Sequence, residues 1–109
     1  MAVELICQDL SIDSCKTNIS QGESFRVVNM LTDQDGNPIV GGIANAISVV
    51  GNAGEILSSA LAYHGGGGMW RFTFTMPVNA PIGGYRIFWT TTAGAVVAIA
   101  KLPFWVEDP

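Results

Sequence analysis

Trp70-Arg71-Phe72-Thr73-Phe74-Thr75-Met76-Pro77 is the stretch that decides the fold. Trp70, Phe72, Phe74 and Met76 recur at every second position, with Arg71, Thr73 and Thr75 between them. Successive side chains of an extended chain point to opposite faces, so this pattern is a strand with one face on a core and the other toward water. Each of the four large apolar groups is worth about 1.5–3 kcal/mol when fully buried. Pro77 cannot donate to a ladder and ends the strand.

The same period recurs on both sides. Downstream, Tyr85, Ile87 and Trp89 alternate with Arg86, Phe88 and Thr90 after a loop over 79–84. Ala93-Gly94 turns the chain, a strand is expected from Ala95 to Lys101, and a last one from Leu102 to Glu107 with Phe104 and Val106 facing alike. Pro103 either breaks that ladder or marks an edge. Upstream, His64-Gly65-Gly66-Gly67-Gly68 reads as a flexible turn without side chains to pack, preceded by a strand over 55–63, for which a short helix is the alternative. Ile39 to Val50 is small and apolar, with Ala46, Ser48 and Val50 alternating against Ile47 and Val49. Gly51-Asn52-Ala53-Gly54 follows as a hairpin signal. Asp33-Gln34-Asp35-Gly36-Asn37-Pro38 is the strongest turn, because Gly36 accepts positive φ and Pro38 forbids a continued helix. Before it, Ser24 to Thr32 is a strand with apolar residues on both faces, which suggests an interior strand covered on each side. Glu4 to Ile12 is a first strand with Ile6, Leu10 and Ile12 on one face, and 13–18 is a polar loop. About seven strands at 8–12-residue spacing, with no helix-period stretch, define an all-β, immunoglobulin-like β-sandwich of antiparallel strands. One domain over 1–109 is expected, with 1–18 as an N-terminal arm or first strand.

Composition agrees and excludes several functions. The chain of 109 residues is 49% apolar and only 13% charged, about half the usual charged share. That excludes a disordered, solvated tail. Five Lys and Arg against nine Asp and Glu give a net charge of −4, so no basic face exists to displace phosphate counterions, and nucleic acid is not an expected partner. The longest apolar stretch, Ala93 to Ala100, is far short of the about 20 residues of a membrane helix. Glu4, Gln8 and Asp9 interrupt the opening segment where a secretory signal needs an apolar core, so the chain is expected to be made in the cytoplasm. In that compartment Cys7 and Cys15 are expected as free, partly buried thiols.

Catalytic readings find little support. His64 is the single histidine and borders a four-glycine turn that cannot hold a base in register, which leaves a Ser or Cys nucleophile unactivated. Asp9, Asp13, Asp33, Asp35, Glu107 and Asp108 are expected in loops or termini, where they serve solubility. The segment from Asp33 superficially matches a calcium loop, yet Gly36 and Pro38 fall at the wrong positions and Ala44 stands where the bidentate Glu belongs. Gly65–Gly68 lacks the Lys-Ser/Thr continuation of a phosphate loop. No metal, cofactor or catalytic residue is expected. Trp70 and Trp89 are in phase with core residues, whereas Trp105 is out of phase with Phe104 and Val106 and is expected on the opposite, exposed face. An exposed Trp is a strong protein-contact anchor; a sugar platform is the other use.

Ile19-Ser-Gln-Gly22-Glu23-Ser-Phe25, Leu31-Thr-Asp33-Gln-Asp-Gly36-Asn-Pro38-Ile, Trp70-Arg-Phe-Thr-Phe-Thr-Met-Pro77, Pro81-Ile-Gly83-Gly-Tyr85-Arg-Ile and Phe104-Trp-Val106, in this order, resemble the N-terminal immunoglobulin-like domain of phage baseplate upper proteins and related small virion proteins. The resemblance spans roughly residues 19–106, and it extends to bacterial Ig-like and macroglobulin-type modules. It implies a non-enzymatic structural protein of a tailed phage that packs against other virion proteins. Because the sequence ends at Pro109 without a receptor-binding region, a capsid decoration (cement) subunit or a neck or tail adaptor is the expected form. An Ig-like adhesion or carbohydrate-binding module is the alternative. Major capsid, portal, neck or tail proteins are the expected partners, with the chain oligomeric in the particle and located in the virion. The small-residue stretches 39–50 and 93–100 suit close subunit approach or edge pairing. The contact residues expected are Trp105, Ile43, Val97 and Ile99.

Overall fold

The computed structural model describes residues 4–51, 54, 56–61 and 63–109. Nine strands are described: β1 Cys7–Ile12, β2 Asn18–Ser20, β3 Ser24–Thr32, β4 Ala44–Val50, β5 Ile56–Leu61, β6 Tyr63–Gly66, β7 Met69–Thr75, β8 Gly83–Ala93 and β9 Val96–Glu107. They form two packed sheets, one of order β1-β3-β7-β6 and one of order β2-β9-β8-β4-β5. This is the immunoglobulin-like sandwich the alternation implies. All pairings are antiparallel except β2 with β9, which runs parallel. No described helix is long and apolar enough to cross a membrane.

The core forms where the period-two faces meet. Phe25, Val27 and Leu31 of β3 and Trp70 of β7 face Ile47 and Val49 of β4, Tyr85, Ile87 and Trp89 of β8, and Phe104 and Val106 of β9. Phe72 and Phe74 pack against this cluster with partial exposure. Aromatic rings join the two sheets: Phe25 contacts Phe74 within its own sheet at 5.8 Å and Phe104 across the gap at 5.4 Å, and Phe104 stacks on Tyr85 at 5.6 Å. Edge-on and offset geometries of this kind add to simple burial. The Tyr85 hydroxyl donates to the Pro81 carbonyl four residues upstream, a tyrosine corner that pins the entry to β8.

Several expected boundaries shift, each for a local reason. The run expected as one strand over 55–63 divides into β5 and β6, which belong to different sheets; its start at 55 lies outside the described residues. The two runs expected at 95–101 and 102–107 are one strand, β9, paired continuously with β8 from Val96 to Glu107's neighbour Val106. Pro103 sits inside that ladder opposite Arg86. The Trp105 N–H points away from β8, to the Thr17 carbonyl at 2.9 Å. Two residues earlier, the Pro103 nitrogen points the same way, so its missing N–H costs β8 nothing and Pro103 marks an edge. β3 is flanked by β1 and β7, but its outer face is only half covered: Arg26, Val28 and Met30 stay partly exposed. Part of the expected flexible turn at 64–68 is strand β6, and Gly68 is buried. Cys7 and Cys15 are free, as expected, but exposed rather than partly buried. Cys7 lies on the outward phase of β1, and Cys15 ends a 3₁₀ turn over Asp13–Cys15. Asp9 lies on strand β1, not in a loop.

That 3₁₀ turn lifts the chain from one sheet to the other, so β1 and β2 flank different sheets. The turn joining β2 to β3 is closed by Glu23, whose carboxylate accepts from the Ser20 N–H at 2.9 Å and pairs with Lys16. The Lys16 hydrogen bond, then the Ser20 amide, hold the Glu23 carboxyl below its ordinary value of 4.5. A depressed carboxyl stabilises the fold above its unfolded pKa, and this contribution disappears as pH falls through the lowered folded value. Glu23→Gln is therefore expected to flatten the acid limb of the stability–pH profile below about pH 4.5 by no more than about 1 kcal/mol, read by urea unfolding at stepped pH.

Candidate interaction surface

The outer face of the five-stranded sheet follows from the β8–β9 register. Tyr85–Phe104, Ile87–Leu102, Trp89–Ala100 and Thr91–Ala98 turn inward, so Gly84–Trp105, Arg86–Pro103, Phe88–Lys101, Thr90–Ile99 and Thr92–Val97 turn outward. Exposure matches this phase: Trp105 is 50% exposed, Val97 59% and Ile99 60%. These three expected contact residues therefore lie on one face of one strand. Ile43 does not join them. It precedes Ala44 in the inward phase of β4, partly buried against the core.

The face is apolar with a positive accent. The Trp105 ring lies 4.0 Å from the Cβ position of Gly84, so the ring covers backbone instead of a neighbouring side chain. An open pocket of about 620 Å³ adjoins the ring and is bordered by Thr17, Asn18, Arg86 and Pro103. Arg86 and Lys101 each hold a cation 5.9 Å from the Phe88 ring centre, worth about 0.5–1 kcal/mol at an exposed site. Among the described residues neither has an ion-pair partner. Sequence reasoning missed Val78 and Ile82, exposed at 79% and 47% in the loop before β8. Because Gly83 pairs with Val106, that loop stands at the Trp105 end of the sandwich. Their only sequence signal was their position between Pro77 and Gly83, where no core phase applies.

The opposite outer face differs in kind. Ser24 and Thr75 share a hydroxyl hydrogen bond at 2.7 Å, and Arg26 pairs with Asp13. A smaller hollow of about 260 Å³ there is lined by Asp13, Arg26, Val28, Met69 and Arg71. Asp13 and Arg26 serve each other there, and Arg71 donates to the Gly65 carbonyl at 3.2 Å. In the expected turn, the Asp33 carboxylate accepts from the N–H groups of Asp35 and Asn37 at 2.9 and 3.0 Å, and the Asp33 carbonyl accepts from Gly36 at 3.0 Å. Its oxygen thus organises the loop, with Gly36 at φ 82°. Among the described residues, no three His, Cys, Asp or Glu side chains converge. His64 pairs with Trp70 in the β6–β7 ladder; its side chain lies outside the described residues.

No family model and no curated protein matches the chain. Solved structures do. An Escherichia coli alpha-2-macroglobulin activated by porcine elastase superposes with a TM-score of 0.72 at 21% identity, over 94% of this chain and 9% of that one. A Salmonella alpha-2-macroglobulin mutant gives 0.72 at 19% identity, over 100% of this chain and 7% of that one. The Bacillus subtilis sporulation control protein Spo0M gives 0.61 at 17% identity, over 98% and 51%. The chain thus spans less than a tenth of the macroglobulins it resembles, and at these identities the likeness is one of fold.

Proposed function

We propose that this protein is a non-catalytic structural module that acts by docking the outer face of its five-stranded sheet onto another protein. The observation that carries the reading is the concentration of Trp105, Ile99, Val97, Pro103 and Phe88 on that one face, while the other outer face carries the Asp13–Arg26 pair and the Ser24–Thr75 hydrogen bond, with Val28, Met30 and Met69 only half-exposed. A half-exposed Trp flanked by apolar residues and Arg has the composition of an interface centre. The cations over Phe88, without an ion-pair partner among the described residues, favour a partner that brings carboxylates. The setting implied by the sequence resemblance is the virion of a tailed phage, with the chain as a capsid decoration subunit or a neck or tail adaptor. The pocket beside Trp105 favours carbohydrate as the second reading, since an exposed ring bordered by Asn18 and Arg86 offers both stacking and hydrogen bonds. Continuation of the apolar face to Ile99 and Val97, beyond the reach of one sugar ring, speaks for protein.

The test pairs gene neighbourhood with cosedimentation on capsids and tails encoded beside this gene. Trp105→Ala is expected to weaken binding about 30-fold, the loss of one aromatic anchor of about 2 kcal/mol. Absence of capsid, portal or tail genes, together with a glycan hit abolished by Trp105→Ala, would reverse the assignment.

A further inference from the structure

β9 is flanked by β2 only at Trp105–Glu107, where Asn18–Ser20 pair with it. Had the chain continued straight, residues before Asn18 would line the rest of that edge; instead the Asp13–Cys15 turn carries them into the other sheet. Since Trp105 aims its N–H outward, Val97, Ile99 and Lys101 aim theirs outward as well. Among the described residues no strand pairs with this side of them. Pro103 and Lys101 guard one half of the edge, in the way natural edges are blunted. Val96-Val97-Ala98-Ile99-Ala100 has no charge and no proline. An unguarded apolar edge is a pairing surface.

We propose that this edge is completed by the same edge of a second copy of the chain, antiparallel and centred on Ile99. The occupant follows from the register. Centring on Ile99 sets Ile99 opposite Ile99 and Val97 opposite Lys101, which engages all three outward N–H groups of each copy in about six backbone hydrogen bonds. Moving the centre to position 100 keeps the three donors engaged but sets Val97 opposite Pro103, which turns a ring instead of an N–H to the partner and leaves the Val97 carbonyl without a donor. Moving it to Lys101 brings two ammonium groups face to face, which is unfavourable. The inward-facing Ala98 and Ala100 are small, so neither copy presents bulk at the junction. The contact is isologous and closes as a two-fold dimer, joining two five-stranded sheets into one. A five-residue edge buries less than the about 1,600 Å² of a standard interface, so association is weak and is effective where copies are concentrated. The inference rests on the reading of the chain as a structural module, but uses the backbone edge of β9 and not the side chains of the docking face.

The test is sedimentation equilibrium of the full chain up to roughly 1 mM, with amide exchange at low and high concentration. A monomer–dimer equilibrium is expected, with the Val97, Ile99 and Lys101 amides open to exchange when dilute and at least tenfold slower when concentrated. The Ala98 and Ala100 amides, bonded to β8, are expected to be protected at both concentrations. Ile99→Pro removes one outward donor, in the manner of Pro103, and is expected to abolish the dimer while keeping the unfolding midpoint. A monomer at every concentration with freely exchanging edge amides overturns the pairing, as does a dimer that survives Ile99→Pro. If Ile99→Pro does not fold, the concentration dependence of the three amides in the natural chain decides alone. Failure here leaves the docking reading standing, because Trp105→Ala tests that face in the monomer.

Discussion

Trp89→Ala is expected to lower the free energy of unfolding by about 3–5 kcal/mol, read as a fall in the urea midpoint with an unchanged slope. The ring is fully buried in β8, between Ile47 of β4 and Ala100 of β9 in the ladder. Deleting it removes transfer energy and leaves a cavity that the backbone of a central strand cannot collapse to fill. A polar consequence adds to this. The indole Nε1 donates to the Asn45 side-chain oxygen at 3.0 Å, which also accepts from the Thr91 hydroxyl at 2.6 Å. Asn45 is itself buried, and its side-chain nitrogen has no partner among the described residues. With the indole gone, a group already under-satisfied loses a second interaction in a low-dielectric site. Domains of this size hold about 5–15 kcal/mol in total, so the variant is expected to approach the limit of folding. Trp89→Phe, which keeps most of the volume, is expected to fall between the natural chain and Trp89→Ala. A loss below about 1 kcal/mol for Trp89→Ala would contradict a core built on this ring.

Gly68→Val is expected to cost about 2–4 kcal/mol, by two separable mechanisms. Gly68 has φ 83°, a conformation that L side chains enter at about 1–2 kcal/mol and β-branched ones at more. Its added Cβ would also lie 2.8 Å from Cβ of Pro38 and 3.0 Å from the Leu31 carbonyl oxygen. The Gly68 carbonyl accepts from the Leu31 N–H at 3.0 Å, so the β6–β7 turn cannot move aside without losing that bond. Gly67→Val separates the two effects. Gly67 shares the positive φ, at 60°, but nothing lies within 4 Å of its Cβ position. Its cost is expected to be the backbone term alone, about half that of Gly68→Val. Equal losses in thermal or urea unfolding would show that the close approach to Pro38 is unimportant.

The residues that period-two alternation placed in the core are in the core: Trp70, Tyr85, Ile87, Trp89 and Phe104 are buried, and Phe72 and Phe74 pack against them. Alternation is local, needing only the covalent geometry of an extended chain and the difference between apolar and polar side chains. The same rule located the outward phase of Trp105, whereas Val97 and Ile99, expected as contacts from their small-residue stretch, took their outward phase from the β8–β9 register. Ile43 was expected as a contact from its small-residue stretch, but alternation sets it in phase with Ile47 and Val49, and it packs against the core. The glycine run 65–68 was legible as a turn but not as a packed one, since the atoms that confine Gly68 belong to residues 31 and 38.

The all-β class, the inward and outward phases of β3, β7 and β8, and the turn at 33–38 were thus determined by the amino-acid sequence alone, each from interactions within a few residues. Only the tertiary structure decided which sheet each strand joins, that β1 and β2 part company at the Asp13–Cys15 turn, and that Pro103 lies within one long strand at an open edge. Those outcomes depend on hydrogen bonds between residues far apart in the chain, such as Thr17 with Trp105 and Leu31 with Gly68. Because such bonds form only after distant segments meet, no local pattern encodes them, and the candidate surface of β9 is their product.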